Sequence, residues 1–127
     1  MNALGTHLLL ELKECDPEML NNLSAVREAL IDAAKDVGAT VVGEAFHAFS
    51  PHGVTGVLAI AESHLCIHTW PEYRYAAVDI FTCGGLDPRP GLTWLQEQLE
   101  ADQSRVQEIV RGMPDDLSQG AHLLPDD

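Results

Sequence analysis

Positive charge is scarce in this chain: seven Lys and Arg stand against twenty Asp and Glu, a formal net charge of −13. Such a surface repels phosphate backbones, which argues against a nucleic-acid partner and favours a cationic small molecule. Long apolar runs are missing too. The longest candidate, Val54 to Ala61, is interrupted by Thr55 and Gly56 and falls far short of the roughly 18 residues a membrane span needs, so no membrane partner is expected. Cysteine occurs only at positions 15, 66 and 83. The opening MNALGTHLLLELKEC lacks a basic start, a long apolar run and a small-residue cleavage site, and both features point to a soluble protein of a reducing cytoplasm. With 127 residues, 46% of them hydrophobic, there is material for one core and not for two.

GTHLLLELK, residues 5–13, reads as a first strand, and Asp16-Pro17 supplies an N-cap and an N1 proline. Met19, Leu23, Val26, Leu30, Ala33 and Val37 recur at helical steps up to Gly38, which predicts one helix over 17–37. From Ala39 the texture turns β-branched and aromatic. TVVGEAFHAF, VTGVLAIA, HLCIHTW and YAAVDIF, joined by short turns such as Ser50 to Gly53, predict four successive antiparallel strands. Leu92, Leu95 and Leu99 mark a second helix over 88–101, while SRVQEIV, 104–110, fits either its continuation or a last strand. The expected fold is an α+β two-layer sandwich, a mostly antiparallel sheet with two helices on one face, spanning residues 1–112. Residues 113–127, acidic and with two prolines, are expected to form a mobile tail. The strands are too apolar on both sides to leave a face in water, so a second copy is expected on the face without helices.

Chemistry concentrates in Glu62-Ser63-His64-Leu65-Cys66-Ile67-His68-Thr69-Trp70-Pro71-Glu72. In a regular strand His64, Cys66 and His68 share one face, a sterically possible zinc site. The alternate spacing lacks a paired-ligand signature and no second cluster completes it, so no metal is expected. A serine hydrolase fares worse, because no G-x-S-x-G elbow surrounds Ser63.

The stretch from Phe46 to Gly84, FHAFSPHGVTGVLAIAESHLCIHTWPEYRYAAVDIFTCG, closely resembles prokaryotic pyruvoyl-dependent S-adenosylmethionine decarboxylases. GTHLLLELKEC and GATVV are also similar, so the resemblance covers residues 4–84. Decarboxylating an amino acid leaves charge on Cα that no ordinary side chain delocalises. The resemblance implies a covalent pyruvoyl cofactor made from Ser63, which holds the substrate as a Schiff base. In the implied processing, the Ser63 hydroxyl attacks the Glu62 carbonyl, loss of the Ser63 Cα proton expels the Glu62 carboxylate, and hydrolysis leaves pyruvoyl on the new N-terminus.

By the same resemblance His68 is the base that removes the Cα proton, a task suited to imidazole near neutrality. Cys83, in F-T-C-G, returns a proton to the substrate Cα after decarboxylation, and a thiol is mainly protonated near neutrality. Phe49 and Trp70 are candidates to stack on adenine or face the sulfonium, worth roughly 0.5–2 kcal/mol, and Glu72 to accept the ribose hydroxyls. Thr55 stands where the family pattern has serine. It keeps the hydroxyl that assists processing but adds a methyl and restricts χ1, which points to slower processing.

The function implied is conversion of S-adenosylmethionine to the aminopropyl donor of spermidine synthesis. Arginine or ornithine as substrate, and a non-catalytic nucleoside-binding module, are the alternatives. Ser63 and His68 are five residues apart, ~15 Å along an extended strand. That exceeds the roughly 3 Å reach of a base. A homodimer with shared sites is therefore expected, pairing Ser63 and Cys83 of one protomer with Phe49, Thr55, His68 and Glu72 of the other. Similar enzymes with two fused copies of the domain divide their site in the same way.

Overall fold

The computed structural model describes residues 3–117. Its elements are β1 (Gly5–Lys13), α1 (Pro17–Leu20), α2 (Leu23–Val37), β2 (Thr40–Ala48), β3 (Val54–Ala61), β4 (Ser63–Trp70), β5 (Tyr75–Cys83), α3 (Arg89–Gln98) and β6 (Gln103–Arg111). The six strands form one sheet in the order β2-β3-β4-β5-β1-β6, with every neighbouring pair antiparallel. The two longer helices cover one face, giving the expected α+β sandwich. That face supplies the core: Leu8, Leu10 and Leu12 of β1, Leu58 and Ile60 of β3, Leu65 and Ile67 of β4, and Val78 and Ile80 of β5, buried against Val26, Leu30, Ala33 and Leu95.

The predicted helix over 17–37 is two helices. Asn21 and Asn22 interrupt it because their side chains compete with the backbone for hydrogen bonds. Asn22 Oδ1 accepts from Ala25 N and caps α2, while Asn21 Oδ1 accepts from Gly53 N at 2.9 Å. The break also frees the Leu20 carbonyl to accept from the buried Thr69 hydroxyl at 2.7 Å, and Thr69 Oγ1 itself accepts from Val54 N at 2.9 Å. Together these bonds tie the β2–β3 turn to α1 and to the end of β4. The segment left open between helix and strand is β6, held along the whole length of β1. The second helix is shorter than the expected 88–101, ending at Gln98. In the expected tail, Pro114–Asp116 form a single 3-10 turn; the expectation for 118–127 lies outside the described residues.

No described element covers the other face. Alternation sends His7 of β1, Thr55 and Val57 of β3, His64, Cys66, His68 and Trp70 of β4, and Tyr75, Asp79, Phe81 and Cys83 of β5 to this open face. Val57 in its middle is 39% exposed. Among the described residues no helix is long and apolar enough to cross a membrane.

Candidate active site

The open face carries two clusters at opposite ends of the β3–β4 hairpin. The first lies at the hairpin's open end, where the register sets Thr55 opposite His68. Thr55 Oγ1 and His68 Nδ1 are hydrogen-bonded at 2.5 Å. The His68 ring is flanked by Trp70, centroids 4.2 Å apart, and by Phe49, 5.9 Å apart, both edge-on. Trp70 in turn stacks on Tyr75 at 5.2 Å, and His47 meets Phe49 at 4.6 Å. Phe49 remains 45% exposed, leaving an aromatic surface open to a ligand. Glu72 sits apart from these rings, on the 3-10 turn after β4, where its carboxylate pairs with His52 Nε2 at 3.0 Å. It lines a shallow cleft of ≈ 320 Å³ with Pro17, Glu18, Asn21, His52 and Pro71.

The second cluster surrounds the hairpin turn. Ser63 is half-buried with φ of 118°, a conformation that costs a non-glycine residue about 1–3 kcal/mol. Its hydroxyl lies 3.4 Å from His64 Nδ1. Ser63 opposes Thr82, which places Cys83 one residue further along β5 and on the open face. Phe81 packs between His64, 5.5 Å away, and His7, 5.4 Å away. His7 Nε2 is 3.2 Å from Asp79 Oδ1, and the Arg111 guanidinium lies 4.9 Å above the Phe81 ring.

The structure thus gathers Phe49, Thr55, His68 and Trp70 at one end and Glu62, Ser63 and Cys83 at the other. β4 is continuous between them and does not fold Ser63 back onto His68. His64, Cys66 and His68 share a face as alternation requires, yet among the described residues no three ligating side chains converge to hold a metal. Burial, and secondarily the Asp79 carboxylate, pushes the Cys66 thiol above its ordinary pKa.

The family model described as S-adenosylmethionine decarboxylase matches residues 6–112, nearly the whole described fold. The chain belongs to this family. Proteins named S-adenosylmethionine decarboxylase proenzyme are similar throughout. That of Thermodesulfovibrio yellowstonii is 51% identical over 114 residues, covering 89% of this chain and 84% of the relative. Those of Thermosipho africanus and Thermotoga maritima are each 48% identical over 118 residues, covering 92% of this chain and 91% of the relative. The crystal structure of the adenosylmethionine decarboxylase from Aquifex aeolicus superposes with a TM-score of 0.84 at 34% identity, covering 94% of this chain and 99% of that one. Family membership extends past the 4–84 stretch in which the resemblance was legible, taking in α3 and β6.

Four residues around the second cluster were given no role from the sequence: His7, Asp79, Phe81 and Arg111, although Asp79 and Phe81 lie within the motif stretch that ends at Gly84. The His7–Asp79 contact joins residues 72 apart in sequence, and no local pattern announces it. His64 was visible only as a metal-ligand candidate. Its position directly after Ser63, with both side chains at the turn, was the available signal.

Proposed function

We propose that this member of the S-adenosylmethionine decarboxylase family cleaves itself between Glu62 and Ser63 and uses the resulting pyruvoyl group to decarboxylate S-adenosylmethionine. The observation that carries this reading is the division of the open face. A serine in a strained turn lies beside Cys83 at one end, and a histidine hydrogen-bonded to a threonine hydroxyl and bordered by aromatic rings lies at the other. Two copies packed open face to open face about a two-fold axis would set each Ser63 against the partner's His68 and produce two equivalent sites.

In this assembly Ser63 Oγ bonds to the Glu62 carbonyl carbon and the Glu62–Ser63 amide becomes an ester. His68 then takes the Ser63 Cα proton, the Cα–Cβ bond becomes double as the Glu62 carboxylate leaves with the Oγ–Cβ bonding electrons, and residue 63 becomes a dehydroalanine. Water replaces the enamine nitrogen as ammonia. Thr55 holds the His68 ring through Nδ1, leaving Nε2 to act. The pyruvoyl group so formed supplies the electron sink that amino-acid decarboxylation requires. Cys83 delivers the proton that replaces carbon dioxide on the substrate Cα. Phe49 and Trp70 offer π-faces to adenine and sulfonium, and Glu72 exchanges His52 for the ribose hydroxyls. A net charge of −13 draws in the cationic substrate.

Intact-mass measurement should find fragments of 62 and 65 residues, the second beginning with pyruvoyl, and Ser63→Ala should stay whole. Carbon dioxide release from S-adenosylmethionine, arginine and ornithine, measured side by side, should be confined to the first. A chain that never splits, or one that prefers arginine or ornithine, overturns the reading.

A further inference from the structure

We propose that His64 carries the proton in the first step of self-cleavage, the transfer of the Glu62 acyl group from the Ser63 nitrogen to the Ser63 oxygen. This role rests on the self-cleaving reading above and concerns a step that His68 does not serve. Among the described residues, His64 Nδ1 is the only side-chain group hydrogen-bonded to the Ser63 hydroxyl, at 3.4 Å. His68 is five residues away along β4 and its Nδ1 is occupied by Thr55. The hydroxyl contact is long, as is common for catalytic hydrogen bonds before the reacting groups close up.

The surroundings hold the His64 ring beside the hydroxyl. Phe81 meets it edge-on at 5.5 Å and His7 at 6.4 Å. His7 is itself fixed by Asp79 at 3.2 Å, and its Nδ1 lies 3.4 Å from the Arg111 guanidinium. The Phe81 ring lies over Gly5, where a Cβ would come within 2.5 Å of it. Glycine at this position is what lets the ring lie against β1.

The step balances with one histidine. Neutral His64, with its proton on Nε2, takes the Ser63 hydroxyl proton on Nδ1 as Oγ attacks the Glu62 carbonyl carbon. The tetrahedral adduct then collapses: the carbon–nitrogen bond breaks, and the departing Ser63 nitrogen takes that proton back from Nδ1. An amide has become an ester and a free amine, and the imidazole ends neutral. Oγ and the leaving nitrogen belong to the same residue, so the ring serves both without moving far.

The test isolates this step by blocking the next. In a His68→Ala chain Cα proton removal is disabled, so the ester should accumulate and be split by hydroxylamine between Glu62 and Ser63. Adding His64→Ala or His64→Gln should slow formation of that hydroxylamine-labile species roughly 100-fold, the usual size of a general acid–base contribution. Free imidazole should restore part of the rate to the His64→Ala form. In mixed dimers the His64→Ala chain should cleave no faster beside a Ser63→Ala partner bearing an intact His64 than it does in its own homodimer, because this residue serves its own chain. Ester formation at the His68→Ala rate, or rescue of the His64→Ala chain by its partner, overturns the role of His64 while leaving self-cleavage standing. A wild-type chain that never cleaves overturns the reading beneath it.

Discussion

Thr55 and His68 face each other across the β3–β4 register with Oγ1 2.5 Å from Nδ1. Threonine at this position keeps the hydroxyl in reach of the imidazole despite its extra methyl. Thr55→Val keeps the branched shape and removes the oxygen. Losing a hydrogen bond of about 1.4 kcal/mol should slow fragment formation about tenfold. Thr55→Ser should cleave at least as fast as the wild type. Gel time courses from freshly purified chain measure both, and an unimpaired Thr55→Val would leave the hydroxyl without a part in processing.

Phe49 and Trp70 border His68 on the open face, and Phe49 is exposed enough to receive a ring. Phe49→Ala should weaken substrate binding roughly 2- to 30-fold, the span of an aromatic–cation contact, while fragment yields stay normal. Glu72→Ala should raise KM in the same way without affecting cleavage. Unchanged affinity in both variants would assign the two residues to packing and surface roles.

Cys15 is fully buried, and loss of solvation, partly offset by Arg74, raises its pKa from 9.0 to about 11. The folded state therefore retains a proton that the unfolded chain gives up first, so this residue's contribution is intact below pH 9 and is lost as pH rises through 11. Denaturant midpoints should fall across that window by an amount equivalent to about 3 kcal/mol. Cys15→Ala should flatten the decline. An equally steep decline in that variant would place its origin elsewhere.

Legibility followed range. Alternation in VTGVLAIA and YAAVDIF was enough to place strands, and helical spacing from Leu23 to Val37 was enough to place α2. The break before α2 was missed because Asn21 answers to Gly53, 32 residues away. The strand over 103–111 could not be told from helix because its apolar residues are few, and pairing with β1 decided it. Ser63, His68 and Cys83 were named from one continuous motif. The cradle around His64 was not, since it is assembled from β1, β5 and β6 by register alone.

The central claim is that each site draws on two subunits, since an unbroken β4 holds Ser63 and His68 apart within one chain. Its most direct measurement uses differently tagged Ser63→Ala and His68→Ala chains, co-expressed and isolated as mixed dimers. Neither parent should cleave alone. In the mixed dimer the His68→Ala chain should be cut after Glu62 by the His68 of its Ser63→Ala partner, while the Ser63→Ala chain remains whole. If mixed dimers form and the His68→Ala chain stays intact, the site lies within one subunit and the shared-site account is wrong.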